Sequence, residues 1–378
     1  MRVVVPKQEQ LLSRTKPRVF QILSLSGGGY RGLHVAQILE IIESQINGQV
    51  ADHFDLIAGT SIGGIIALGL AARIPAADIR KTLEELGPML FPKAPPTFIA
   101  VRRLLACKGM WRKALHGFKH RAALAEEGGY AESAWYTPEP LARTLASEQY
   151  FGDRTMRDLK HPVIIPAVNY SSGGPKFFKT DHSPQLTFDR DLMIRDVALG
   201  TSAAPIYFPV HKIDDQRIVD GGLIANDPTQ VAVHEAMMFF GVRPALYGDA
   251  TPGCDDLKVL SIGTLSPRHF ADASRPLNQG LIGWGTGAFD LAMSAQEAMA
   301  AYMIDKHMLP GKVIRLPSID ARPESAPGLA DVTPISSEIL RSSARNLAQN
   351  AFGEAPFRAL FSHRARTLDE VRANITSF

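Results

Sequence analysis

Apolar and polar positions along this chain alternate between two rhythms. "VFQILSL", Val19 to Leu25, is a short apolar run closed by Gly27, Gly28 and Gly29, and it predicts a buried strand. "LHVAQILEIIESQI" follows with apolar residues at helical spacing, so the glycines sit at a strand-to-helix turn. The pattern then repeats. "FDLIAGT" predicts a second strand and "SIGGIIALGLAARI" a second helix, closed by Pro75. Further strands are predicted at "HPVIIPAVNY" (His161 to Tyr170), "QRIVDGG", "DLKVLSIGT" (Asp256 to Thr264) and "KVIRLP", with a helix over "AQEAMAAYMIDKHM". Strands alternating with helices predict an α/β layered fold with a largely parallel sheet. No internal repeat or low-complexity linker interrupts it, so residues 1–378 read as one domain with insertions.

Composition narrows this picture. At 378 residues and 45% hydrophobic, the chain can bury a substantial core. A net charge of +3 does not mark a general DNA or RNA binder. The two cysteines, Cys107 and Cys254, form no CxxC or Cys/His cluster, so neither a zinc site nor a disulfide framework is expected. The start lacks an apolar core of signal-peptide length, and no stretch reads as a membrane span. The expectation is a soluble cytoplasmic protein whose lipid contact is peripheral. Charge is uneven in one place. Residues 88–124 carry eight Lys or Arg and no Asp or Glu, interleaved with apolar side chains. The default reading is a basic helical insertion with a solvated face. The sharper one is a surface for anionic head groups or a phosphate-bearing ligand.

Three motifs carry chemistry. Gly59-Thr60-Ser61-Ile62-Gly63 fits G-x-S-x-G between a strand and a helix, a turn that lifts a serine hydroxyl above the sheet. The amides opening the next helix point at the same spot. The bland alternative makes Ser61 a helix N-cap. Gly27-Gly28-Gly29-Tyr30-Arg31-Gly32 exposes consecutive backbone N–H groups before a helix, suiting a phosphate or a transient oxyanion. It also matches G-x-G-x-x-G, but the acidic residue a dinucleotide site needs about 20 residues on is missing, since Asp52 and Asp55 fit poorly. Asp220-Gly221-Gly222 brings a carboxylate to a strand end, either as a base or as an ordinary Asp-Gly turn. A histidine base is disfavoured. His234, His269, His307 and His363 follow Asp220, and none lies at a convincing strand-loop position.

In this order, "SGGGYRG", "GTSIG" and "DGG" resemble the patatin-like phospholipase family, and "ALGTSAAPIYFPV" (Ala198 to Val210) is similar to the segment that precedes the family's catalytic aspartate. The resemblance covers about residues 19–228, with weaker likeness to about Gln349, and residues 229–378 read as a C-terminal completion of the same domain. It implies a three-layer α/β/α sandwich around a mostly parallel sheet. It implies a serine–aspartate dyad of Ser61 and Asp220, needing no cofactor for the chemistry. The oxyanion hole would be built from Gly27, Gly28 and Gly29 with Ile62. Arg31, Gly32, Gly59, Gly63, Gly221 and Gly222 support the motifs, with Arg31 positioning the loop or a phosphate. Ser26 stands where many members carry Asp, which suggests a subgroup. "ILSLSGGGYRGL" looks like the bacterial subgroup whose members are phospholipases activated by a cyclic dinucleotide such as cyclic GMP–AMP in anti-phage defence. The implied partners are membrane phospholipid at the inner bilayer face and that nucleotide, with a homo-oligomer allowed. Three rivals stand beside this reading. They are a constitutive lysophospholipase or general carboxylesterase without nucleotide control, a non-enzymatic binding protein on the same fold, and a nucleotide-dependent oxidoreductase.

Overall fold

In the computed structural model, residues 17–92, 134–248, 253–266, 278, 287–317 and 326–375 are described. The basic insertion expected over residues 88–124 lies outside them beyond residue 92. In chain order the main elements are β1 (Val19–Leu25), α1 (Gly32–Ile46), β2 (Leu56–Gly59), α2 (Ile62–Ala71), α3 (Ala76–Leu90) and α4 (Glu139–Leu145). Next come β3 (Val163–Asn169), β4 (Gly174–Lys179), α5 (Ile194–Thr201), β5 (His211–Ile213), β6 (Gln216–Asp220), α6 (Gly222–Ala225) and α7 (Thr229–Phe239). The last are β7 (Asp256–Ile262), α8 (Gly287–Ala301), β8 (Val313–Leu316), α9 (Pro334–Gly353), α10 (Ala355–Leu360) and α11 (Leu368–Ile375). A π-helical stretch, Tyr302–Met308, continues α8.

One eight-stranded sheet collects the strands in the order β5-β6-β3-β2-β1-β7-β8, with β4 also on β3. The run from β3 to β8 is parallel. β4, β5 and β6 pair antiparallel. Both faces of the sheet are covered, which is why β1 and β2 read as nearly continuous apolar runs. Leu23, Leu25, Ile57 and Ile165 face a thick layer built from α1, α2, α3, α5, α9 and α10. Phe20, Ile22, Leu56 and Ile164 face a thinner one built from α7 and the π-helical stretch. This is a three-layer α/β/α arrangement around a mostly parallel sheet, as the family resemblance implies. Among the described residues, no helix is long and apolar enough to cross a membrane.

Candidate active site

The sheet topology sets where the motifs meet. Leu25 pairs with Gly59 and with Ile262, so β1, β2 and β7 end level with one another. The glycine loop, the Ser61 turn and Thr264 therefore leave the sheet side by side at its carboxyl edge, where ligands bind in such folds. Asp220 arrives from the opposite direction. Ile164 of β3 pairs with both β2 and β4, while Ala167 pairs with both β4 and Asp220 of β6. A strand residue offers one edge to each side, so β2 and β6 must share the same edge of β3. One runs up that edge and the other down it, and their tips converge. Two residues 159 positions apart thus touch. Ser61 Oγ donates to Asp220 Oδ2 at 2.6 Å.

Ser61 sits in a strained conformation, with φ 56° and ψ −125°. A non-glycine residue there costs about 1–3 kcal/mol and persists only when its surroundings hold it. They do so here. The Ser61 amide donates to Thr201 Oγ1 at 3.1 Å, and that hydroxyl donates to Pro166 O at 2.6 Å. Thr60 Oγ1 donates to Ala225 O at 2.6 Å. The flanking glycines are required by close approach. A Cβ on Gly59 would strike the Gly63 carbonyl, and one on Gly63 would strike the carbonyls of Leu25 and Ser26.

Asp220 is 2% exposed. Burial pushes its pKa up to about 6, against the opposing pull of the Ser61 hydroxyl and the Gly222 amide. The Gly222 amide donates to Oδ1 at 2.7 Å, leaving Oδ2 to the serine. Among the described residues no histidine hydrogen-bonds to either member of the pair. His363 pairs with Asp55, and His307 packs on Tyr302. His211 lines the cleft, and its Nε2 lies 3.3 Å from Asp196 Oδ1. His269 lies outside the described residues.

The glycine loop divides its labour. The Gly27 amide donates to Asn226 O at 3.0 Å, so Gly27 has no amide to offer, and this corrects its expected place in an oxyanion hole. Its carbonyl accepts from Thr264 Oγ1 at 2.8 Å. The amides of Gly28, Gly29 and Ile62 have no acceptor among the described residues, and all three residues line the cleft with Ser61. Arg31 is buried, and both its backbone N–H and its Nε donate to Gly28 O, at 3.2 and 3.3 Å. Fixing that carbonyl also fixes the opposite face of the same peptide, the Gly29 N–H. Gly32 packs against Ile62, and Gly221 against the Pro166 carbonyl.

Above the pair lies a cleft walled by Ile65, Leu83, Leu90, Phe91, Leu141, Tyr207, Phe208 and Met293. An alkyl chain fits such a lining. α8 contributes Phe289 and Met293 to the lining, whereas Met299 and Met303 are exposed and Met308 packs on the far side of the sheet. Sequence reasoning assigned no part to Thr201, Asn226 or Thr264. Thr201 lies within the "ALGTSAAPIYFPV" stretch and Thr264 closes "DLKVLSIGT", but nothing local in either stretch marks a hydroxyl as a strut. Among the described residues no group of three or more His, Cys, Asp or Glu side chains is placed to hold a metal ion.

Residues 23–233 match Patatin, the patatin-like phospholipases. The chain belongs to the patatin-like phospholipase family. A cGAMP-activated phospholipase of Pseudomonas aeruginosa is 35% identical over 92% of this chain and 93% of its own length. A protein of the same description from Vibrio cholerae is 37% identical over 78% of this chain and 76% of its own. Another, from Escherichia coli, is 38% identical over 66% and 63%. As a patatin-like phospholipase this chain is a lipid acyl hydrolase.

Proposed function

We propose that this chain is a phospholipase switched on by cyclic GMP–AMP, which degrades membrane phospholipid in anti-phage defence. Ser61 attacks the lipid ester carbonyl while Asp220 takes the hydroxyl proton. The amides of Gly28, Gly29 and Ile62 hold the tetrahedral oxyanion. The lysolipid leaves with that proton, and water then clears the acyl-enzyme with Asp220 again as base. The observation that carries the reading is the 2.6 Å contact from Ser61 Oγ to Asp220 at the floor of an apolar cleft. A carboxylate whose pKa burial raises to about 6 is a stronger base than free aspartate. The activator is supported by the descriptions of relatives 35–38% identical to this chain. Lipid contact in this scheme is peripheral, with an acyl chain drawn from the bilayer into the cleft.

The test is phospholipid hydrolysis by purified protein, with and without a panel of cyclic dinucleotides, alongside Ser61→Ala. Hydrolysis only with cyclic GMP–AMP, and none in Ser61→Ala, is expected. Equal activity without nucleotide would remove the switch and leave a constitutive lysophospholipase or carboxylesterase. Full activity in Ser61→Ala would remove the dyad.

A further inference from the structure

One side chain beside the dyad has no part in the scheme above. Asn226 directly follows α6 and is 1% exposed. Its Nδ2 donates to Glu297 Oε1 at 2.5 Å and to Gly27 O at 3.4 Å. A carboxylate and a carbonyl only accept, so they orient the amide with its nitrogen toward them. The oxygen, Oδ1, faces the other way. It is buried, and among the described residues it has no hydrogen-bond partner. Buried acceptors are rarely left so, because burial strips them of water without return.

The orphan oxygen lies among the reacting groups. Asn226 lines the same cleft as Ser61 and Asp220. A Cβ placed on Gly222 would lie 3.0 Å from both Asn226 Oδ1 and Asp220 Oδ1. One placed on Gly27 would strike Asn226 Oδ1 and lie 3.1 Å from the Ser61 Cβ. Glycine at both positions leaves space for the acceptor itself, wedged between the oxyanion loop and the dyad.

We propose that Asn226 Oδ1 holds the water that hydrolyses the acyl-enzyme, an inference resting on Ser61 as the nucleophile. Water brings two O–H bonds. Asp220 takes one proton as the water oxygen bonds to the acyl carbon. Asn226 Oδ1 accepts a hydrogen bond from the other O–H and so turns the attacking lone pair toward the ester. The bond from the acyl carbon to Ser61 Oγ then breaks, the proton on Asp220 passes to Oγ, and the fatty acid leaves. Glu297, reaching in from α8, is the positioning residue that keeps the amide turned this way.

An alcohol separates this role from simple packing. Methanol has a single O–H, which Asp220 takes, so methanolysis of the acyl-enzyme needs no second acceptor. Asn226→Ala is expected to slow hydrolysis by ~10-fold and to raise the ratio of methyl ester to free acid by a similar factor. The assay uses phospholipid micelles with cyclic GMP–AMP and added methanol, with both products quantified. Labelling of Ser61 by a fluorophosphonate needs no water and is expected to be unchanged. Glu297→Ala frees the amide to rotate and should raise the same ratio by a smaller factor. If Asn226→Ala loses labelling as well, its site has collapsed and Glu297→Ala decides. An equal fall in both products, or an unchanged ratio, overturns the inference. Failure of the unaltered protein to label at Ser61 overturns the dyad instead.

Discussion

Replacing Asp220 by Asn should change how stability depends on pH, by an amount the burial of the carboxylate sets. In the fold its pKa is raised from 3.8 to about 6, chiefly because burial penalises the charged form. The unfolded chain releases this proton near the ordinary value. Between those two pH values the native state therefore binds more protons than the unfolded state, and unfolding free energy falls as pH rises. The stabilisation is present below pH 3.8 and lost above about 6. A shift of roughly two units corresponds to ~3 kcal/mol. Asn carries no proton to lose. Its amide can turn so that Oδ1 accepts from the Gly222 N–H and Nδ2 donates to Ser61 Oγ, which keeps the two hydrogen bonds seen here. The stability of Asp220→Asn relative to the native protein should therefore rise by about 2 kcal/mol between pH 4 and pH 8, most of that shift. Steric effects of the substitution are the same at both pH values and cancel. The assay is urea unfolding of both proteins across that range. The same proton sets the activity profile. The logarithm of kcat/KM should climb with unit slope below about pH 6 and flatten above it, because the base must be ionised. A stability gap that stays constant or shrinks with rising pH would refute the argument, as would an activity midpoint near pH 4.

Two further substitutions test the scaffold around the dyad. A Cβ on Gly28 would overlap the Thr264 hydroxyl that anchors Gly27 O, so Gly28→Ala should displace the free amides and lower kcat by ~100-fold. Steady-state kinetics checks this, with the urea unfolding midpoint as the control for folding. Arg315→Met should destabilise by about 3–5 kcal/mol, because it strands Asp227 at 0% exposure without the cation 2.5 Å away. Denaturant midpoints measure that loss, and a midpoint unchanged from the native protein would show that Thr229 and Ser24 alone suffice for this carboxylate.

Much of this molecule is legible in local sequence. "VFQILSL" matches β1 residue for residue, and the glycine-flanked serine falls at a strand-to-helix turn. Those features follow from period and turn chemistry, which a few neighbouring residues decide. β4 and β5 are not legible. "GPKFFK" and "HKI" carry neither length nor clean alternation, and they are strands because β3 and β6 offer them an edge. The candidate site divides the same way. Ser61, Asp220 and the glycines announce themselves by type and spacing. Their meeting does not, because it depends on β2 and β6 sharing one edge of β3 from opposite directions. Nor does sequence say that the Gly27 amide is already bonded while, among the described residues, those of Gly28 and Gly29 have no acceptor, that Thr201 props the strained serine, or that Asn226 Oδ1 has no partner among them. A hydrogen bond between residues far apart in the chain has no local signature, so tertiary structure alone decides which donors and acceptors are left over for chemistry.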